Sequence, residues 1–178
     1  KDIKEEKLSG REFVFKICII GEGSVGKTSL VKQFSQSMFE SEYKSTIGVS
    51  IIKNDYGVDG DQVNFQMWDI AGQEKWVKMR HLYYKGAHGA LIVGDVTREN
   101  TFEQLKEFWN PDLRQFCGEI PKILVVNKVD LHPIISNNEI DNLAHKINVD
   151  TTIFTSAKNG KNVEKAFRKL AEDIIVSK

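Results

Sequence analysis

The chain has 178 residues, 40% hydrophobic and 28% charged, with 25 Lys and Arg against 25 Asp and Glu. That length suits one globular domain, and the composition excludes a disordered chain. A formal net charge of zero offers nucleic acid or acidic membrane no whole-molecule attraction, and two cysteines are too few for a disulfide framework.

Residues 1–12 read as a polar leader, mixed in charge and without the apolar stretch of a secretory signal. Val14-Phe15-Lys16-Ile17-Cys18-Ile19-Ile20 is a β-rich, nearly continuous apolar run ending at Gly21, the pattern of a buried parallel strand. The helical run that follows carries Leu30, Val31 and Phe34. Between Gly48 and Trp68, two β-rich runs flank Asp59-Gly60-Asp61, a hairpin turn signal. Strand-like runs recur at residues 89–93 and 123–126, with a weaker one at 152–154. Thr101-Phe102-Glu103-Gln104 and Ser136-Asn137-Asn138-Glu139 both have the spacing of a helix-starting capping box. Val163, Ala166, Phe167, Leu170 and Ile174 share one helical face. Strands alternating with helices around one early hairpin predict an α/β three-layer sandwich. Its sheet would have six strands, mostly parallel with one antiparallel edge strand, covered by about five helices. The domain is expected over residues 13–178. No apolar run approaches the 18 residues that suggest a membrane span, so the chain reads as soluble. Cys18 and Cys117 read as buried thiols of a protein from a reducing compartment.

Gly21-Glu22-Gly23-Ser24-Val25-Gly26-Lys27-Thr28 fits GxxxxGK followed by Ser or Thr. A loop that wraps a polyphosphate must turn tightly and aim several backbone N–H groups inward. Glycine permits this at Gly21, Gly23 and Gly26, with Ser24, Val25 and Ser29 completing the cradle. Lys27 would reach the β- and γ-phosphates, the helix start adds its positive end, and the Thr28 hydroxyl can ligate Mg²⁺. The bare pattern arises by chance in roughly one in 150 chains of this length. Here it also follows a strand and precedes a helix, so a P-loop NTPase-type fold is expected.

Trp68-Asp69-Ile70-Ala71-Gly72 ends the second hairpin strand; Asp69 could hold Mg²⁺ through water, and Gly72 could offer its N–H to a γ-phosphate. Asn127-Lys128-Val129-Asp130 follows another strand. A carboxylate at Asp130 can accept from N1–H and the 2-amino group of guanine, a donor pair that adenine lacks. Lys128 can lay its stem along the ring face, and Asn127 can tie two loops together. Thr155-Ser156-Ala157-Lys158 offers a backbone N–H to the base carbonyl oxygen.

With these motifs in this order, the chain resembles a small GTPase of the Ras superfamily across residues 13–176. Ser45-Thr46-Ile47-Gly48-Val49, Trp68-Asp69-Ile70-Ala71-Gly72-Gln73-Glu74 and Tyr83-Tyr84-Lys85-Gly86-Ala87 look most like its Rab branch. The resemblance implies that Thr46 ligates Mg²⁺ and senses the γ-phosphate, and that Gln73 orients the attacking water beside Lys27 and Gly72. It also implies that Phe39 stacks across the guanine edge and Tyr43 covers the phosphates. Four places depart from the usual pattern. Ile70 replaces a threonine, Ser50-Ile51 an acidic-aromatic pair, Lys75-Trp76 an Arg-Phe pair, and Gly94 an aromatic. They mark a divergent member, for which a protist or archaeal source would fit.

The function so implied is a Mg²⁺-dependent switch that binds and slowly hydrolyses GTP, cycling between GDP and GTP states to recruit effectors in membrane traffic or a related regulatory process. No insertion before Thr46 brings an arginine in cis, so an activating protein would supply the missing charge, and an exchange factor would act through the same switch regions. Trp76, Met79, Leu82 and Tyr83 form a stripe that effectors could read, part of it core. A GTP-binding scaffold without turnover is the alternative; an adenylate-type kinase is disfavoured by Asn127-Lys128-Val129-Asp130. The protein is expected to be a cytoplasmic monomer with no nucleic-acid partner, reaching a membrane only through a lipidated tail absent from this sequence.

Overall fold

The structure, a computed structural model, describes residues 10–36, 41–46, 48–72 and 78–178, with the backbone alone for 41–46. Its strands are β1 (Glu12–Ile20), β2 (Ser41–Thr46), β3 (Val49–Val58), β4 (Asp61–Ile70), β5 (Gly89–Asp95), β6 (Lys122–Asn127) and β7 (Thr151–Phe154). They make one sheet in the order β2-β3-β4-β1-β5-β6-β7. Strands β4, β1, β5, β6 and β7 run parallel, while β3 runs against both of its neighbours. The six expected strands and the single antiparallel one are all present. Ser41–Thr46 adds a seventh outside β3, so the antiparallel strand lies one place in from the edge. This added strand has a polar sequence, and the ladder to β3 holds it where no apolar run announced it.

The helices are α1 (Lys27–Gln36), α2 (Arg80–Tyr84), α3 (Glu99–Gln104), α4 (Asn110–Cys117), α5 (Asn137–Lys146) and α6 (Val163–Val176). A π-helical turn, Leu105–Trp109, joins α3 to α4 in one rod, leaving five helical units among the described residues. Because strand side chains alternate, β1 feeds two cores. Phe15, Ile17 and Ile19 join Phe34, Phe65 and Phe167 on one face, while Cys18 and Ile20 join Ile70, Tyr84 and Trp109 on the other.

Local signals account for several boundaries. Asp59 (φ 48°) and Gly60 (φ 87°) both take positive φ, as a two-residue hairpin turn of matching twist demands. Ser136 caps α5, its hydroxyl accepting from the Glu139 N–H at 3.2 Å. The Thr101 start is corrected. Helix α3 begins at Glu99, and the Thr101 hydroxyl instead donates to the Arg98 carbonyl at 2.7 Å and accepts from the Asp95 N–H at 2.9 Å. Both cysteines are free, Cys18 buried and Cys117 half-buried. No described helix is long and apolar enough to cross a membrane.

Candidate functional site

Parallel pairing sends the carboxyl ends of β1, β4, β5, β6 and β7 to one edge of the sheet, where open α/β sheets bind ligands. Residues 21–28 leave β1 there, Asp69 stands at the end of β4, and Asn127 at the end of β6. Together they frame a cleft of about 590 Å³. It is lined by Gly23, Ser24, Gly26, Lys27, Thr28 and Ser29, by Asp69, Ala71 and Gly72, by Gly48, Val49 and Ser50, and by Lys128.

The glycines have separate reasons. At Gly21 (φ 145°) a Cβ would run into the Val93 carbonyl, and at Gly26 (φ 102°) into the Asn127 amide. Gly72 packs its backbone on the loop, leaving a Cβ only 2.6 Å from the Gly23 nitrogen. A Cβ on Gly23 would meet no protein atom within 4 Å; it would take room from the cleft itself.

Lys27 is 7% exposed, and its ammonium donates to the Gly21 and Glu22 carbonyls, both at 2.8 Å. Burial pulls its pKa down to about 8, against the opposing pull of Asp69 and Glu22. Thr28 Oγ1 donates to Asp69 Oδ2 at 2.5 Å. Burial raises the Asp69 carboxyl pKa above its ordinary value, although the Thr28 bond and the nearby Lys27 and Lys32 pull the other way. A hydroxyl and a buried carboxylate therefore meet on the cleft wall, a pair of hard oxygen donors that fits a magnesium ion.

The base end lies beyond the cleft. Buried Asn127 is the joint between the two ends. Its Nδ2 donates to the Val25 carbonyl at 2.9 Å, while its Oδ1 accepts from Thr155 Oγ1 at 2.9 Å and the Ala157 N–H at 3.2 Å. Asp130 is exposed and accepts at one carboxylate oxygen from the buried Ser156 hydroxyl at 2.8 Å. Lys128 (φ 68°) turns its ammonium back onto the Ser24 carbonyl at 2.8 Å and Asp95 at 2.9 Å. Val25 is fully buried, so only its backbone can serve a ligand; Lys158 is exposed.

Phe39, Gln73 and Trp76 lie outside the described residues, and Tyr43 and Thr46 are described only as backbone positions of β2. Ile70, which replaces the usual threonine, is fully buried in the second core. The proposed effector stripe divides: Met79 and Leu82 are exposed, whereas Tyr83 is buried.

Sequence reasoning missed two site residues. Asp95 is 1% exposed and accepts from the Thr97 N–H, the Thr97 hydroxyl, Arg98 and Lys128. Burial alone would raise its pKa, but these donors outweigh it and hold the carboxyl below its ordinary value. Arg98 also donates to the Gly23 carbonyl at 2.9 Å. An Asp-x-Thr turn was a readable signal for Asp95; nothing local marks Arg98, whose loop partner is 75 residues away.

Residues 16–176 match the profile of the Ras family. The chain is 38% identical over 175 residues to "Ras-related protein Rab-7L1" of Rattus norvegicus, covering 94% of this chain and 85% of that protein. It is 40% identical over 173 residues to "Ras-related protein RABA5b" of Arabidopsis thaliana, covering 96% and 79%. Against "Ras-related protein Rab-1" of Theileria parva it is 36% identical over 164 residues, covering 90% and 74%.

Proposed function

The chain belongs to the Ras family of small GTPases, which hydrolyse GTP, and from that premise we propose a Mg²⁺-dependent, Rab-like switch that recruits effectors in its GTP state. The observation that carries this reading is the Asn127 joint, which fastens a phosphate-wrapping loop to a base-reading loop through one buried amide. Asp130, steadied by Ser156, would accept the N1–H and 2-amino donors of guanine, and adenine would leave that carboxylate unpaired.

Phosphoryl transfer asks a protein mainly for positioning and charge stabilisation. Lys27 would move from the Gly21 and Glu22 carbonyls to the β- and γ-phosphates, joined by loop N–H groups and the positive end of α1. Gln73 would orient water in line with the leaving oxygen. Thr28 and Thr46, with Asp69 through water, would hold Mg²⁺, which when bound neutralises charge on the phosphate oxygens. Losing the γ-phosphate would free Thr46 and Gly72, the ordering change that effectors read. An activating protein and an exchange factor would set the two rates. Membrane traffic or a related regulatory process is the proposed setting, as the resemblance to the Rab branch implies. Phe39 and Tyr43 would close over base and phosphates. A monomeric G domain over residues 13–178, working in the cytoplasm, completes the proposal.

The test is single-turnover hydrolysis of preloaded GTP by the parent and by Gln73→Leu, at equal Mg²⁺ and matched occupancy. The variant should lose at least several-fold in rate while its nucleotide affinity changes little. Equal, measurable rates would remove Gln73 from the mechanism. No turnover by either would favour a GTP-binding scaffold.

A further inference from the structure

Five successive carbonyl oxygens, from Gly21 to Val25, each have a side-chain donor. Lys27 takes the first two, Arg98 takes Gly23, Lys128 takes Ser24 and Asn127 takes Val25. A trans peptide is planar, with its C=O and the following N–H pointing in opposite directions. Fixing the carbonyls of Gly23, Ser24 and Val25 therefore fixes the N–H groups of Ser24, Val25 and Gly26 the other way. Arg98, through the Gly23 carbonyl, thereby fixes the direction of the Ser24 N–H, and Lys128, through the Ser24 carbonyl, that of the Val25 N–H.

Asn127 and Lys128 belong to the base-reading motif. Arg98 does not, and its placement comes from a different source. Its Nε donates to Asp95 Oδ2 at 3.1 Å, and the same oxygen takes the Lys128 ammonium at 2.9 Å. The other oxygen, Oδ1, is fixed by Thr97 through its N–H at 2.9 Å and its hydroxyl at 2.7 Å. One buried carboxylate thus aligns two cations, and each cation holds one carbonyl of the phosphate loop.

We infer that Asp95 and Arg98 are positioning residues for phosphate binding, setting the Ser24 and Val25 N–H groups for the β- and γ-phosphates without touching the nucleotide. This rests on the reading of the site as a guanine-nucleotide site. Lys128 would consequently serve both ends of the ligand, the base through its stem and the phosphates through the carbonyl it holds.

The test compares GDP with GMP, which shares the base and α-phosphate but lacks the β-phosphate. Affinities for both are measured for the parent, R98A, R98K and D95N. R98A should cut the parent's preference for GDP over GMP about tenfold, the scale of one hydrogen bond from a partly exposed charged group, and leave GMP affinity unchanged. R98K should keep most of the preference, because an ammonium can still donate to the Gly23 carbonyl. D95N should lose at least as much as R98A. An equal loss for GDP and GMP in R98A, or no loss at all, would overturn the inference. A parent that binds neither nucleotide would overturn the underlying reading instead.

Discussion

Lys27 is a strong base made weaker by burial, and that has a measurable consequence. With its pKa near 8 in the free protein, a growing share of these lysines is neutral above that pH. A polyphosphate favours the charged form, so the pKa must rise on binding and a proton must be taken up. Affinity for GDP should therefore be level below pH 8 and fall as pH climbs beyond it. Calorimetry in buffers of different ionisation heat should register proton uptake at pH 8.5 and little at pH 6.5; equal heats at both would place the lysine pKa elsewhere. This lysine was legible in the sequence, because GxxxxGK is a local pattern with a local cause. The Asp95–Arg98 pair was not: the contact that gives Arg98 its role crosses 75 residues and exists only after β1 and β5 pair.

Among the elements, the packing of β5 against α3 explains one departure from the family pattern. A Cβ on Gly94 would enter the ring of Phe102, which is 2% exposed and belongs to the second core. Gly94→Ala should destabilise the protein by about 1–3 kcal/mol through overpacking. Adding Phe102→Leu should recover part of that loss, so the two effects will not add. Thermal unfolding of the two single variants and the double variant tests this; a Gly94→Ala variant as stable as the parent would mean that the ring yields freely. The same scale shows what sequence could reveal. Buried strands and the Ser136 cap were readable because each has a short-range signature. Strand β2 was not readable: SEYKST has no apolar run, and its pairing with β3 needs none. The start of α3 was misread because Thr101 uses its hydroxyl within the first helical turn rather than before it.

At the scale of the whole molecule, α6 fastens the far end of the hairpin to the rest. Tyr56 donates to Glu164 at 2.7 Å, Arg168 donates to Asp59 at 2.8 Å, and Phe167 stacks on Phe34 with ring centroids 4.2 Å apart. Phe167 is fully buried, so Phe167→Ala should cost about 3–5 kcal/mol, a large share of a domain's usual margin of roughly 5–15 kcal/mol. Urea unfolding should show a lower midpoint with an unchanged slope; an unchanged midpoint would mean that the cavity collapses without cost. The Asn127 joint has a consequence in time as well as in space. The Val25 carbonyl waits 102 residues for the amide that grips it, about 5–20 s at roughly 5–20 residues per second of synthesis. That amide then waits another 28 residues for Thr155 and 30 for Ala157. The phosphate loop is among the first parts made and among the last to be set. A half-finished chain therefore lacks both the amide that grips the Val25 carbonyl and the two donors that hold that amide, until residues 127 to 157 have been made.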